Sequence, residues 1–212
     1  TNWNPLQPGD VPSDLRSFFL SLTSSDGPHE GRFHYVSPNT DLLAWIIERA
    51  AGQRYADLMS DYLWRPMGAG TSGYITVDRL GAPRAAGGMC VTTRDLALVG
   101  QLLIEKGRRG QNQIVPEAWI DDLETGGDAQ AWKTGDFVDH FPGLPIRYRS
   151  KWYVLEESSP ILFCLGIHGQ YLFVDRENEI SIAKHSSRGL PLDEGDENLA
   201  IQAALAIRER LI

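Results

Sequence analysis

The chain predicts an α+β fold in which helices come first and an antiparallel sheet follows. Three observations lead there. Apolar residues recur at helical spacing, with caps, through the first two thirds of the 212 residues. Alternating runs separated by turn residues fill the stretch from about 150 to 185, and an amphipathic segment closes the chain. Helices followed by strands imply a helical layer on an antiparallel sheet.

The elements follow in order. Thr1 to Pro12 reads as a Pro-rich loop, and Ser13–Leu22 as a short helix. A second helix is expected over Thr40–Ala51, with Asn39 or Thr40 as its cap and Gly52 as its C-terminal stop. Tyr55–Leu63 gives a third, ending in Trp64-Arg65-Pro66-Met67-Gly68. Thr92 or Thr93 caps a helix through Lys106, where Asp95 suits the positive end of the dipole. Pro116–Glu124 is a short helix, and a long loop, of the kind that often carries binding residues, runs to about Arg147. Strands are expected near Ser150–Glu156, Pro160–Gly166, Gln170–Asp175 and Glu179–His185, with Arg176-Glu177-Asn178 as a hairpin turn. Glu197–Leu211 is the terminal helix.

Composition bounds the function. With 42% apolar and 23% charged residues there is ample material for a core. A net charge of −8 argues against nucleic acid and anionic membrane as partners, and no span of about 18 apolar residues is present for a membrane helix. Cys90 and Cys164 each sit in an apolar run, the usual setting of an inert core thiol, with a disulfide or reactive thiol the alternative. His29, His34, His140, His168 and His185 are scattered without ligand spacing, so no metal is expected, and no motif calls for another cofactor. The first residue is not Met, which leaves localisation open, cytoplasmic only by default.

The stretch richest in chemistry is Phe33-His34-Tyr35-Val36-Ser37-Pro38-Asn39-Thr40. Tyr35 falls on a loop just before a helix. There it is either a packed aromatic or a proton carrier, the second requiring a nearby cation to lower its pKa from roughly 10. Tyr35-Val36-Ser37, the helix ending Glu48-Arg49-Ala50-Ala51-Gly52, Ala85-Ala86-Gly87-Gly88-Met89-Cys90-Val91-Thr92-Thr93-Arg94-Asp95-Leu96-Ala97, and Gly166-Ile167-His168-Gly169-Gln170 occur in an order that resembles the penicillin-binding-protein and class C β-lactamase-like serine hydrolases. The resemblance is strongest to 6-aminohexanoate-oligomer hydrolases and related carboxylesterases.

That resemblance implies a β-lactamase/transpeptidase-like fold, of which the chain is a C-terminal portion: a helical and loop part over 1–148, then strands and the terminal helix over 149–212. It implies a small amide or carboxylic ester as substrate, Tyr35 as the catalytic tyrosine, and the Ile167 N–H as one oxyanion donor. Ser37, Cys90, Trp152, Gly166 and His168 are the implied substrate-binding positions. His168 alternatively hydrogen-bonds within the sheet, and Trp152 or Tyr153 alternatively serves the core. The family's nucleophile lies in Ser-x-x-Lys on a helix before the tyrosine. Only 34 residues precede Tyr35, and none forms that motif, so the nucleophile segment is expected elsewhere, and a fragment carrying it is a possible partner.

Two decoys spell family motifs. Ser181-Ile182-Ala183-Lys184 lies in an alternating run, where residues three apart face opposite sides. Lys133-Thr134-Gly135 falls in the long loop. Two further readings stand beside the hydrolase. One is a non-catalytic remnant that at most binds a ligand. The other makes Thr1 an N-terminal nucleophile, for which Trp3-Asn4-Pro5 is an unsuitable opening strand.

Overall fold

The alternating runs of the C-terminal third pair into one antiparallel meander in the computed structural model, which describes residues 9, 11–24, 27 and 31–212. The loop expected before Val11, Thr1 and His29 lie outside the described residues, Gly9 apart. Two compact units are present. One comprises the chain up to Glu30, Val36–Met59 and Gly73–Cys90; the other comprises Gly31–Tyr35, Ser60–Ser72 and Val91–Ile212.

The first unit holds α1 (Leu15–Ser21), α2 (Ser37–Ala51), α3 (Tyr55–Met59) and the two-residue strands β1 (Tyr74–Ile75) and β2 (Met89–Cys90). Asp14 caps α1 through Ser17 N at 2.9 Å. Helix α2 begins three residues before the expected Thr40. Neither Asn39 nor Thr40 caps it, because Pro38 in the first turn already fits helical φ and Val36 takes the cap position without a side-chain bond. Gly52 ends it at φ 66, as expected. The buried Asp41 accepts from Ala86 N at 2.8 Å and faces Arg84 at 3.5 Å, which ties α2 to the loop before β2. Leu43, Ile46 and Ile47 of α2 remain exposed.

The second unit contains a π-helical turn over Ser60–Trp64, α4 (Thr93–Ile104), β3 (Arg108–Arg109), β4 (Asn112–Gln113), α5 (Glu117–Thr125), α6 (Ala129–Lys133), β5 (Ile146–Arg149), β6 (Trp152–Leu155), β7 (Ile161–Gly166), β8 (Gln170–Asp175), β9 (Ile180–Lys184) and α7 (Glu194–Leu211). Thr92 caps α4 as expected, through Asp95 N. The long loop expected up to Arg147 is not structureless. Asp128 accepts from Gln130 N and Ala131 N, and that cap starts α6. The sheet has five strands in the order β5-β6-β7-β8-β9, one more than expected, because Gly143 and Pro145 hide the short run of β5.

Every residue of β6 is buried, so both faces of the sheet are covered. On one face Tyr153, Phe163, Tyr171 and Phe173 pack with Trp132, Phe141 and, from α7, Ile201 and Ala204. On the other, Trp152, Val154, Leu162, Leu172 and Val174 meet Leu103 of α4 and Ile120 and Leu123 of α5. Each such fully buried side chain contributes about 1.5–3 kcal/mol.

Helix α4 approaches β8 and β9 closely at Gly100. A Cβ there would overlap Ser181 Oγ and stand 3.1 Å from Val174 Cγ2. Gly100→Ala is therefore expected to cost about 1–3 kcal/mol by overpacking, read as a lowered melting temperature. An unchanged temperature would mean that the helix can lift off the sheet at little cost.

Candidate active site

Tyr35 ends a short extended segment strapped onto the second unit. Phe33 N donates to Ala131 O at 2.8 Å, and Asp136 N donates to Phe33 O at 3.2 Å. The Asp136 carboxylate then accepts from Tyr35 N at 3.3 Å and, with its other oxygen, bonds His34 Nδ1. The Tyr35 ring stacks on Phe137 at 4.9 Å, and Tyr148 and Phe33 stand edge-on at 6.4 and 6.5 Å. At 37% exposure the ring is fixed but still reachable from solvent.

The sequence argument called for a cation that lowers the Tyr35 pKa. The structure surrounds Tyr35 with aromatic rings instead. Burial, with a smaller effect of Cys164, pushes its phenol above the ordinary value, so the group is a proton donor at neutral pH. Tyr148 beside it is raised further, by burial and then by Tyr35.

Cys164 is a free thiol on the face packed by α4 and α5, and burial pushes it up to about 12. That is the inert state expected of a core cysteine.

Strands β7 and β8 are joined by Ile167-His168-Gly169, with His168 at φ 61 and Gly169 at φ 84. Ile167 N–H makes no hydrogen bond among the described residues, so a backbone donor is on offer. An added Cβ at Gly166 would sit 3.0 Å from Gln170 Cβ, so this glycine makes room for Gln170. His168 Nδ1 lies 2.8 Å from Arg188 O. A carbonyl only accepts, so Nδ1 carries a proton and is the donor.

Trp152 is 8% exposed and packs in the core shared with α4 and α5, on the opposite face from Tyr153. Ser37 and Cys90 belong to the first unit: Ser37 opens α2, and Cys90 in β2 pairs with Tyr74 and donates its Sγ to Gly88 O at 3.7 Å. The structure thus brings Tyr35, Trp152, Gly166, Ile167 and His168 into one unit, and Ser37 and Cys90 into the other.

Neither decoy forms a catalytic pair. Ser181 Oγ donates to Ala97 O, whereas Lys184 Nζ donates to Gly169 O and lies over the Tyr171 ring. Lys133-Thr134-Gly135 is the end of α6, with Thr134 as its C-cap. Sequence reasoning missed Asp136, Phe137 and Tyr148, whose neighbourhood to Tyr35 is created by a chain separation of about a hundred residues.

Helices that cover both faces of an antiparallel meander are the layering of a β-lactamase-like fold. The chain belongs to the Beta-lactamase family, whose model matches residues 8–206. It is 36% identical over 185 residues to a 6-aminohexanoate-dimer hydrolase of Paenarthrobacter ureafaciens, covering 87% of this chain and 46% of that one.

Among solved structures it is similar to a Bacillus anthracis protein named "Putative 6-aminohexanoate-dimer hydrolase", with TM-score 0.81 at 24% identity over 97% of this chain and 52% of the other. It is also similar to a β-lactamase/D-alanine carboxypeptidase of Yersinia pestis, with TM-score 0.64 at 19% identity over 89% of this chain and 61% of that one. The chain spans about half the length of that Paenarthrobacter relative.

Proposed function

We propose that these residues are the C-terminal portion of a serine hydrolase for small amides or carboxylic esters, completed by a segment that carries Ser-x-x-Lys. The observation that carries the reading is a fixed, half-exposed Tyr35 phenol in the same unit as the Ile167 N–H, which has no partner among the described residues. The one Ser-x-x-Lys in the sequence is Ser181–Lys184, and its side chains are engaged apart, which supports a nucleophile supplied from outside this stretch.

In the completed site the serine attacks the substrate carbonyl. The oxygen that gains the charge receives hydrogen bonds from Ile167 N–H and from the serine's own N–H. The Ser-x-x-Lys ammonium lowers the burial-raised Tyr35 pKa, and Tyr35 passes the serine's proton to the leaving amine or alcohol. Phe137, Tyr148 and Tyr35 form an aromatic ledge suited to an aliphatic chain. The name of the Paenarthrobacter relative makes a 6-aminohexanoate dimer the first amide to assay.

Ser37, Cys90 and Gly166 stay substrate-binding positions on the resemblance alone. Trp152 we assign to the core, in keeping with its burial. Leu43, Ile46 and Ile47 on α2 offer the nucleophile segment an apolar face. A charge of −8 keeps nucleic acid and anionic membrane off the list of partners.

The test is complementation. Mixed with the N-terminal half of the Paenarthrobacter relative, the chain is expected to cleave p-nitrophenyl esters, and alone to leave them intact. Cleavage by the chain alone would refute the external nucleophile. No cleavage by the mixture would favour the alternative reading, a non-catalytic remnant.

A further inference from the structure

The turn that carries Ile167 is braced by residues to which the proposed reaction gives no role. His168 sits in the left-handed region, which most side chains avoid and asparagine tolerates. Three hydrogen bonds bind it to the loop between β9 and α7. His168 N donates to Pro191 O at 2.9 Å, His168 O accepts from Arg188 N at 3.4 Å, and Nδ1–H donates to Arg188 O.

Arg188 in turn closes that loop on itself and on α7. Its side chain is 11% exposed; Nε donates to Leu190 O and Nη2 to Pro191 O, both at 3.3 Å, and Nη2 lies 3.5 Å from Glu197 Oε1. Glu197, in the first turn of α7, is 1% exposed, and the same oxygen accepts from Asp193 N at 3.1 Å. Gln170 adds bonds from Nε2 to Ile167 O, His168 O and Ser186 O.

We infer that His168 is a positioning residue, latched by Arg188 and Glu197, that holds the Ile167 N–H in the direction an oxyanion requires. This rests on the hydrolase reading above. An oxyanion donor acts only if preorganised to within about 0.5 Å, and a three-residue turn with two left-handed residues has no such rigidity of its own. The side-chain geometry supports the assignment: Nδ1–H is spent on Arg188 O, so the ring is bound to the loop that braces the turn.

Two variants test the latch. His168→Gly adopts the turn freely but has no side-chain donor, whereas His168→Asn accepts the same backbone and offers an N–H to Arg188 O. In ¹⁵N relaxation on this chain, the Ile167 amide is expected to stay near an order parameter of about 0.85 in the asparagine variant and to fall below about 0.6 in the glycine variant. In the completed enzyme, kcat for esters should fall at least about 10-fold in the glycine variant and recover with asparagine, with KM unchanged. An Ile167 amide equally rigid in the glycine variant would overturn the latch. Equal loss in both variants with a raised KM would show that the imidazole touches substrate, and would overturn the positioning role. Inactivity of the unmodified completed enzyme would count against the hydrolase reading, while relaxation would still decide the latch.

Discussion

Tyr35→Phe is expected to lower ester hydrolysis by the completed enzyme by about 10²–10⁴-fold in kcat, with the melting temperature unchanged. The substitution removes one hydroxyl and leaves the ring on Phe137 and the Asp136 bond to its N–H in place. Among the described residues, no hydrogen bond that holds the segment uses the phenol. The loss is therefore chemical, and circular dichroism run beside the kinetics separates it from unfolding. Full activity in the variant would remove Tyr35 from the reaction. The same phenol supplies a pH signature: in the isolated chain it should titrate above about 10, because burial raises it and no lysine ammonium offsets the shift.

Asp175→Ala is expected to cost about 3–5 kcal/mol of folding free energy by urea denaturation, the loss typical of a broken buried pair. Asp175 is 3% exposed at the end of β8, where it accepts from Ser159 Oγ at 2.9 Å, Asn178 N at 3.0 Å, Asn178 Nδ2 at 2.8 Å and Arg208 Nε of α7. Removing the carboxylate strands the guanidinium of Arg208, itself only 8% exposed, under α7. Burial alone would raise the Asp175 pKa, but the bonds from Asn178, Arg208 and Ser159 outweigh it, and the carboxyl is held below its ordinary value. A carboxyl depressed in the folded state adds stability above the unfolded pKa of about 3.9, and that stability is lost as pH falls through the lower folded value. The gap between wild type and variant should therefore be full at pH 7 and shrink below about pH 4. A loss under 1 kcal/mol at neutral pH would show that Arg208 finds water.

What could be read from the chain and what could not divide along physical lines. Gly52 and Thr92 end and begin their helices through bonds made within a few residues, and local chemistry of that kind is visible in sequence. The alternation of β6 to β9 was equally legible, and it disposed of the Ser181–Lys184 decoy correctly. The strand β5 and the helix α6 were missed because both are short and flanked by Gly, Pro and Asp, residues that also make loops.

The site divides likewise. Tyr35 and Ile167 are candidates through motif resemblance, whereas the contacts of Asp136 and Arg188 arise from folding that no local pattern encodes. Asp136 is 101 positions from Tyr35, and Arg188 is 20 from His168. The raised rather than lowered Tyr35 pKa has the same origin, since its aromatic neighbours Phe137 and Tyr148 arrive from a distant part of the chain.

The most direct test of the central claim is the site of labelling by a fluorophosphonate that reacts with activated serines, read by intact mass and peptide mapping on the assembly of this chain with the Ser-x-x-Lys segment. The label is expected on that segment's serine and absent from all serines of these 212 residues. Label on Ser37, Ser181 or any other serine of this chain would contradict the account.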